Sequence, residues 1–225
     1  QMAQLKKDYV TAYIGLHSKA RLGVTEDNTK ASLRKEPRLV ALRTLAGISL
    51  MPTSQLTAFE DRLDNLKSCY QLSDTELVAS SYCPHCSYKP ANEALPFGPA
   101  TNALTQLDEE LDRLYAGWQQ ALVDNLDDPT ISANLDLLKA AARKLVEAFV
   151  TSGKLSDPVM PEFVAAVQEA LSGLVKETVS TDEIRNALLA GGSPANPEEL
   201  RRRFETLLNE RCKGKDATKL RFVVE

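Results

Sequence analysis

The sequence predicts a mainly α-helical fold with helical bundles, a cysteine-containing knuckle loop and one short C-terminal β-strand. Leucine and alanine are abundant while aromatic residues make up only 6% of the 225-residue chain, a balance typical of helices packed on helices. Apolar residues also recur at three- and four-residue steps through most of the chain. With 43% hydrophobic residues, the chain can bury a core without a disulfide scaffold.

The first two predicted helices lie on either side of a polar segment. The first helix ends near Gly23, and its apolar positions are Leu5, Tyr9, Ala12, Tyr13, Leu16 and Ala20. The segment TEDNTK then predicts a turn. A second helix follows at about residues 30–47. Because proline is tolerated only near a helix start, its continuous part should begin at Glu36 or Pro37.

Two further helices are predicted before residue 80. One begins at Pro52 and Thr53, with an apolar face of Leu56, Phe59, Leu63 and Leu66. Ser73 and Glu76 have the spacing of a capping box, which predicts a short helix through Val78.

Residues 80–100 interrupt the helical pattern. Their sequence, SSYCPHCSYKPANEALPFGPA, contains four prolines and a glycine and cannot form one regular element. We therefore predict an N-terminal helical subdomain at residues 1–80, a cysteine knuckle and proline-rich linker at 81–100, and a helical bundle with a terminal strand at 101–225.

Five helices are predicted after the linker. The first has a bundle-type stripe of Leu104, Leu107, Leu111, Leu114, Trp118 and Leu122, and it breaks at residues 127–129. Helices at about residues 131–151 and 158–179 follow, and the first of them should end at Gly153. Ser180 and Glu183 cap a fourth. The fifth begins at Pro197, with a predicted core face of Leu200, Phe204, Leu207 and Leu208.

The C-terminal segment KLRFVVE gives the only convincing strand signal. Leu220, Phe222 and Val224 fall at alternate positions, as on one face of a strand. A single strand cannot satisfy its own backbone groups, so the expectation is that it pairs with something outside this sequence. A frayed terminus is the alternative. The chain also begins inside an amphipathic pattern, and both ends favour a piece of a longer protein.

The charge pattern limits the possible partners. The net charge is −4, with an acidic centre and basic ends. The basic C-terminal helix could contact phosphate or an acidic partner, but a solvated face with an Arg201–Glu205 pair is the favoured interpretation. No apolar run or signal-peptide layout predicts membrane insertion or export. Four cysteines without an export signal then predict a reducing, cytoplasmic location.

No catalytic motif is present in the sequence. The segment GGSPAN lacks the lysine of a phosphate-binding P-loop, and H-E-x-x-H and G-x-S-x-G are absent. His17 lies beside the apolar stripe of the first helix and is interpreted as a packed or surface histidine. The chain is therefore not expected to be an enzyme.

The cysteines carry the strongest candidate site. Cys83 and Cys86 form a C-x-x-C, called the knuckle here, whose turn can bring two thiolates to one tetrahedral ion. The candidate ligands of a structural zinc are Cys69, Cys83, Cys86 and Cys212. The fourth position is open, because Cys212 lies far downstream and His85 lies inside the knuckle.

Two alternatives to zinc remain at this point. The cysteines could be ordinary reduced thiols. The knuckle could also be a redox pair, which would need its first cysteine at a helix N-terminus after a strand. CPHC occurs in oxidoreductases, but no βαβ pattern surrounds it in this sequence.

Three stretches resemble the C-terminal part of large PglY-type proteins, which are related to the BrxC group of ATPases in bacterial BREX phage-defence systems. They are RLGVTEDNTKASLRKEPRLVALRTLAGISLMPTSQL, LKSCYQLSDTELVASSYCPHCSYKP and EELRRRFETLLNERCKGKDATKLRFVVE. The shared shapes are L-x-x-C, then C-P-x-C followed by an aromatic residue and a proline, and K-G-K-D before an apolar strand. Ser87 stands where that family often has a glycine.

The resemblance implies a non-catalytic interaction or assembly module of a much larger P-loop ATPase, whose nucleotide site would lie upstream. The expected partners are other subunits of a defence complex or a second copy of the chain, with DNA also possible and no membrane. Rival interpretations are a nucleic-acid-binding module, a thiol oxidoreductase and a purely structural rod.

Overall fold

The structure of the protein is a computed structural model that describes residues 1–93 and 99–225, apart from the side chain of residue 132. It is mainly α-helical, which confirms the predicted fold class. The helices are α1 (Met2–Ala20), α2 (Val24–Leu33), α3 (Pro37–Leu45), α4 (Thr53–Asn65), α5 (Asp74–Ala79), α6 (Ala100–Leu126), α7 (Pro129–Leu137), α8 (Ala140–Ser152), α9 (Pro161–Ala170), α10 (Thr181–Leu189) and α11 (Pro197–Cys212). Strands β1 (Val175–Val179) and β2 (Leu220–Val224) complete the fold.

The chain forms two compact units. The first comprises Gln1–Leu39 and Thr57–Arg113, and the second comprises Val40–Leu56 and Leu114–Glu225. The predicted proline-rich linker includes residues 94–98, which lie outside the described part of the chain. The proposed three-part organisation at 1–80, 81–100 and 101–225 stays a prediction.

The polar segment after Gly23 is helical, so the predicted turn there is wrong. It forms α2, with Gly23 as the N-cap and Glu26 and Asp27 in the first turn. Acidic side chains in that position interact favourably with the positive end of the helix dipole. This polar sequence therefore forms a short, largely exposed helix. The helix after it, α3, begins at Pro37, as predicted for the continuous part of the second helix.

Both predicted capping boxes are present. Glu76 accepts a hydrogen bond from the backbone N–H of Ser73 at 2.8 Å, at the start of α5. Glu183 accepts one from the backbone N–H of Ser180 at 2.9 Å, at the start of α10. Helix α6 likewise contains the predicted stripe, and the chain breaks before Pro129 as expected.

The helix predicted at residues 131–151 is two helices. Leu138 and Lys139 adopt extended backbone angles between α7 and α8. Neither proline nor glycine marks this break in the sequence. The end of α8 is as predicted, because Gly153 caps it with a left-handed φ of 64° that a residue without a side chain adopts most easily.

The C-terminal strand finds its partner inside this chain. Strand β2 pairs in parallel with β1, with Val175 opposite Leu220 and Val179 opposite Val224. The expectation of a partner outside the sequence is therefore wrong, and so is the predicted helix through Val179. Helix α9 ends at Ala170, and Gly173, with a φ of 92°, lies in the turn that redirects the chain into β1.

Helices α10 and α11 lie between the two strands in the sequence, and they pack on each other. The guanidinium of Arg203 donates hydrogen bonds to the carbonyls of Leu188 at 2.7 Å and Gly192 at 3.0 Å, tying α11 to the end of α10. The predicted core face of α11 is only half-buried at Leu207 and Leu208 and more exposed at Leu200 and Phe204. Among the residues described, no helix is long and apolar enough to cross a membrane.

Candidate metal centre

One face of α1 points into the first unit. Tyr13, His17 and Arg21 follow at four-residue steps, which places them on the same side of the helix and of the residue that ends it. All three are buried, whereas most of the other side chains of α1 are exposed. The end of α1 is therefore anchored mainly through this row of polar and aromatic side chains, and the partly buried Val10, Ile14 and Ala20 pack beside it.

The backbone just after α1 positions Cys69. Leu22 forms an isolated parallel bridge with Ser68. The N–H of Leu22 donates to the carbonyl of Lys67 at 3.0 Å, and the N–H of Cys69 donates to the carbonyl of Leu22 at 3.1 Å. These bonds hold the Cys69 backbone beside the end of α1.

The knuckle is a tight turn. The N–H of Ser87 donates to the carbonyl of Cys83 at 2.9 Å, and Ser87 has a φ of 56°. The residue after the C-x-x-C thus occupies the left-handed region that glycine adopts most easily. The turn forms without a glycine, and His85 in it points to Glu76, with Nε2 and Oε1 2.7 Å apart.

Tyr13 holds both ends of the knuckle against α1. Its hydroxyl oxygen accepts a hydrogen bond from the N–H of Cys83 at 2.7 Å and donates to the carbonyl of Tyr88. The rings of Tyr13 and Tyr88 also meet edge to face, with centroids 5.7 Å apart. The ring of His17 packs on both tyrosines. Buried hydrogen bonds and aromatic packing therefore fix the knuckle relative to His17.

Four ligand-type side chains converge at this point. One donor atom each from His17, Cys69, Cys83 and Cys86 lies within 4.8 Å of all the others. The Sγ atoms of Cys69 and Cys83 are 3.7 Å apart, and Cys86 Sγ is 3.4 Å from His17 Nε2.

These distances fit a tetrahedral zinc ion. Zn–S bonds of about 2.3 Å and Zn–N bonds of about 2.0 Å require S···S edges of roughly 3.8 Å and S···N edges of roughly 3.5 Å. The Cys69–Cys83 and Cys86–His17 distances match such edges within a few tenths of an ångström. Three thiolates and one imidazole are also a common donor set of structural zinc sites.

Burial and charge act differently on the ligand side chains. Burial raises the pKa of the Cys69 thiol to about 11. Burial is the largest single influence on Cys86 and opposes its ionisation, but hydrogen bonds from Arg21, from the backbone of Tyr88 and from the neighbouring thiols together outweigh it, so the pKa of Cys86 is lowered. Burial, followed by the positive charge of Arg21, lowers the pKa of His17, so its imidazole is neutral and suited to bind a metal.

Three of the four predicted zinc ligands meet in the structure. They are Cys69, Cys83 and Cys86, and the fourth donor of the cluster is His17. Cys212 ends α11 in the second unit and is not in this group.

His17 was interpreted from the sequence as a packed or surface histidine, whereas the structure places it beside the three thiols. Its four-residue spacing from Tyr13 and Arg21 marks a helix face, but that spacing is shared by ordinary core positions. Only the packing of the knuckle on that face distinguishes it.

The first unit overlaps a known domain family. The family described as "Family of unknown function (DUF6079) 6th domain" matches residues 25–117, which is less than half of the chain. The match contains the three clustered cysteines, and His17 and Arg21 precede it. Neither the curated proteins nor the solved structures contain a match to this chain.

Proposed function

We propose that the first unit binds one structural Zn²⁺ through His17, Cys69, Cys83 and Cys86, and that the chain is a non-catalytic assembly module. The convergence of four zinc-type donors from three separate segments carries this proposal. Zinc bound there would cross-link α1, the segment at Cys69 and the knuckle. Its binding free energy would contribute directly to folding of this unit.

A structural site fits better than a catalytic one. Catalytic zinc sites keep three protein ligands and leave one position for water or substrate, whereas this cluster offers four protein donors. Cys83 is fully buried at 0% exposure, which shields the centre of the cluster from substrates.

The thiol-oxidoreductase alternative has less support from the same geometry. A reactive C-x-x-C needs an accessible first cysteine at a helix N-terminus. Cys83 is buried, and the residues after it form a turn rather than a helix. The burial of Cys83 and the turn after it therefore favour a metal-binding role for the knuckle over a redox role.

Exposed apolar side chains support an assembly role. Met2, Leu5, Tyr9 and Leu16 are exposed on α1, whose other end is anchored at the cluster. An exposed apolar surface of this kind is typical of protein–protein contact sites. We propose that the partners are other subunits of a large ATPase of the BREX phage-defence type, or a second copy of the chain.

Nucleic acid is the weaker alternative because many basic side chains of α11 and of the segment after it are engaged in ion pairs. Arg201 pairs with Glu198, rather than with Glu205 as expected, and Arg202 and Arg203 both pair with Glu199. Farther along the chain, Arg211 pairs with Glu183, Lys215 with Glu177 and Arg221 with Asp128. Cations neutralised in this way attract phosphate weakly.

Metal analysis of the purified 225-residue chain tests the zinc proposal. We expect one zinc per chain, lost in Cys83→Ser and unchanged in Cys212→Ser. His85→Ala is a second control, because His85 is adjacent in sequence but pairs with Glu76. A chain without zinc after purification in the absence of chelators, and after reconstitution with Zn²⁺, would contradict the proposal.

A binding measurement tests the assembly role. We expect the zinc-loaded chain to bind the other subunits of the proposed ATPase complex or a second copy of itself. Leu5→Asp should weaken that binding without changing the zinc content. Titration with labelled single- and double-stranded DNA at low salt tests the alternative. Strong, salt-sensitive DNA binding together with unchanged partner binding by Leu5→Asp would favour the nucleic-acid module.

A further inference from the structure

A buried arginine contacts the sulfur of one proposed ligand. We infer that Arg21 is a positioning residue for the metal centre, which holds Cys86 Sγ in the ligand set and reduces its reactivity toward electrophiles. This inference rests on the proposed zinc site. It adds the residue that controls the chemistry of that site.

The side chain of Arg21 is fixed by three hydrogen bonds. Nε–H donates to Cys86 Sγ at 3.4 Å, Nη2 donates to Glu93 Oε1 at 2.8 Å, and Nη1 donates to its neighbour Ala20 O at 3.0 Å. The side chain is only 3% exposed. A planar guanidinium held at three points has one orientation, and in that orientation Nε–H faces the sulfur.

An aromatic ring adds to this restraint. The guanidinium carbon of Arg21 lies 4.8 Å from the ring centroid of Tyr88, within cation–π distance. Tyr88 is itself buried and is bonded through its carbonyl to the hydroxyl of Tyr13. The position of Arg21 is therefore coupled to the contacts of Tyr13 and Tyr88 that fix the knuckle on α1.

The charge of the centre gives Arg21 a chemical role. One Zn²⁺ with three thiolates and a neutral imidazole has a net charge of −1, which is concentrated on the sulfur atoms. A charged N–H donor withdraws electron density from a thiolate and makes it less nucleophilic. Cys86 is half-buried, so small electrophiles can approach it more easily than the fully buried Cys83.

Arg21 could instead serve only to cap α1 through Ala20. That role needs no contact with sulfur and no carboxylate partner. Glu93 turns the guanidinium so that Nη2 faces the carboxylate while Nε faces Cys86. The Arg21–Glu93 ion pair therefore orients the guanidinium toward Cys86. An assay that reports on the Cys86 sulfur directly separates this positioning role from simple capping of α1.

The test compares wild type, Arg21→Gln, Arg21→Lys and Glu93→Gln as full 225-residue chains loaded with Zn²⁺ or Co²⁺. Arg38→Gln is the matched control, because Arg38 also makes several ion pairs in the first unit, with Glu36, Asp108 and Asp112, but none with the cysteines in the described part of the chain. The readouts are zinc affinity, the sulfur-to-cobalt charge-transfer band, and the rate at which iodoacetamide alkylates Cys86. In that reaction the thiolate sulfur forms a bond to carbon and iodide leaves.

For Arg21→Gln we expect about 10-fold weaker zinc binding, about 10-fold faster alkylation of Cys86, and a charge-transfer band at lower energy. Arg21→Lys should restore part of the affinity but not the band position, since an ammonium lacks the fixed fork. Glu93→Gln should shift all three readouts less, and Arg38→Gln should leave them at wild-type values.

Two results would contradict two different proposals, the zinc site and the role of Arg21. A wild-type chain that binds no zinc overturns the proposed function itself. A zinc-loaded Arg21→Gln chain with a wild-type cobalt spectrum and alkylation rate overturns the role of Arg21 and leaves the zinc site standing. Should Arg21→Gln fail to fold, the same comparison is made with Arg21→Lys and Glu93→Gln.

Discussion

The two units close distant parts of the chain by different means. In the first, His17 meets residues 69–86 through side-chain donors that suit a metal ion. In the second, residues 175–179 meet residues 220–224 through a parallel strand pair. Backbone hydrogen bonds join the distant segments of the second unit. In the first unit, the proposed zinc ion would add a cross-link to the hydrogen bonds and ring contacts that already hold the knuckle on α1.

The difference predicts which condition each unit responds to. Three ionised thiolates brought together would repel one another, so the first cluster is stable either with protonated thiols or with a cation. The strand pair needs no such partner, and Glu225 extends it, its N–H bonding to the carbonyl of Val179. Metal should therefore affect the first unit and leave the second unchanged.

The largest expected effect is loss of the metal. Chelation of zinc, or Cys83→Ser, should destabilise the first unit by up to about 10 kcal/mol, the scale of structural zinc binding. Hydrogen exchange measured by mass spectrometry should then show faster exchange in α1 and in residues 69–88 but not in β1 and β2. Cys212→Ser is the control. Equal acceleration in both units would remove the distinction.

Shortening a buried side chain in β2 should lower the stability of the second unit alone. Leu220 is buried at the start of β2, and Leu220→Ala should lower the free energy of unfolding by about 2–3 kcal/mol through lost burial and a cavity. Denaturant unfolding measures this, with zinc content unchanged. Val224→Ala, at the exposed end of the same strand, should change little. A loss of zinc in Leu220→Ala would contradict independent closure.

The link between α10 and α11 should show a smaller effect. The side chain of Arg203 is 9% exposed and donates to two backbone carbonyls, so Arg203→Ala should cost about 1–2 kcal/mol. Arg202 also pairs with Glu199 but is 72% exposed, and Arg202→Ala should leave stability nearly unchanged. Thermal unfolding of the two variants provides the comparison, and equal losses would show that the carbonyl contacts contribute nothing.

The smallest expected effect is a gain. Ser87→Gly should stabilise the zinc-loaded first unit by about 0.5 kcal/mol, because the left-handed φ of 56° is strained for serine and relaxed for glycine. Ser81→Gly, in the same loop but without a positive φ, should be neutral or slightly destabilising. A lower melting temperature for Ser87→Gly would mean that the serine side chain contributes more than its backbone strain costs.

Local signals predicted local structure well in this protein. The capping boxes at Ser73 and Ser180, the helix with its stripe from Leu104 to Leu122 and the glycine cap at Gly153 depend on contacts within a few residues, and all are present. The C-x-x-C spacing likewise placed two thiols together because the turn between them is short.

Predictions that depend on distant packing were less successful. Val175–Val179 follows a helical pattern in the sequence, and only its pairing with β2 makes it a strand. The same holds for His17, which is a ligand candidate because the knuckle docks on α1. Cys212 was selected by residue type alone, and residue type does not determine which donors share a site.

The separation of the four donors along the chain also sets an order of events. Cys69, Cys83 and Cys86 lie within one short segment, whereas His17 is separated from them by about fifty residues, and closing a longer loop costs more entropy. We expect the three thiolates to capture zinc first and the imidazole to join only when α1 docks. In stopped-flow mixing with Zn²⁺, His17→Ala should keep the fast capture step and lose the slower one. Until α1 docks, an ion held by the three thiolates would remain open to exchange, so the docking of the first helix would control how long the metal stays bound.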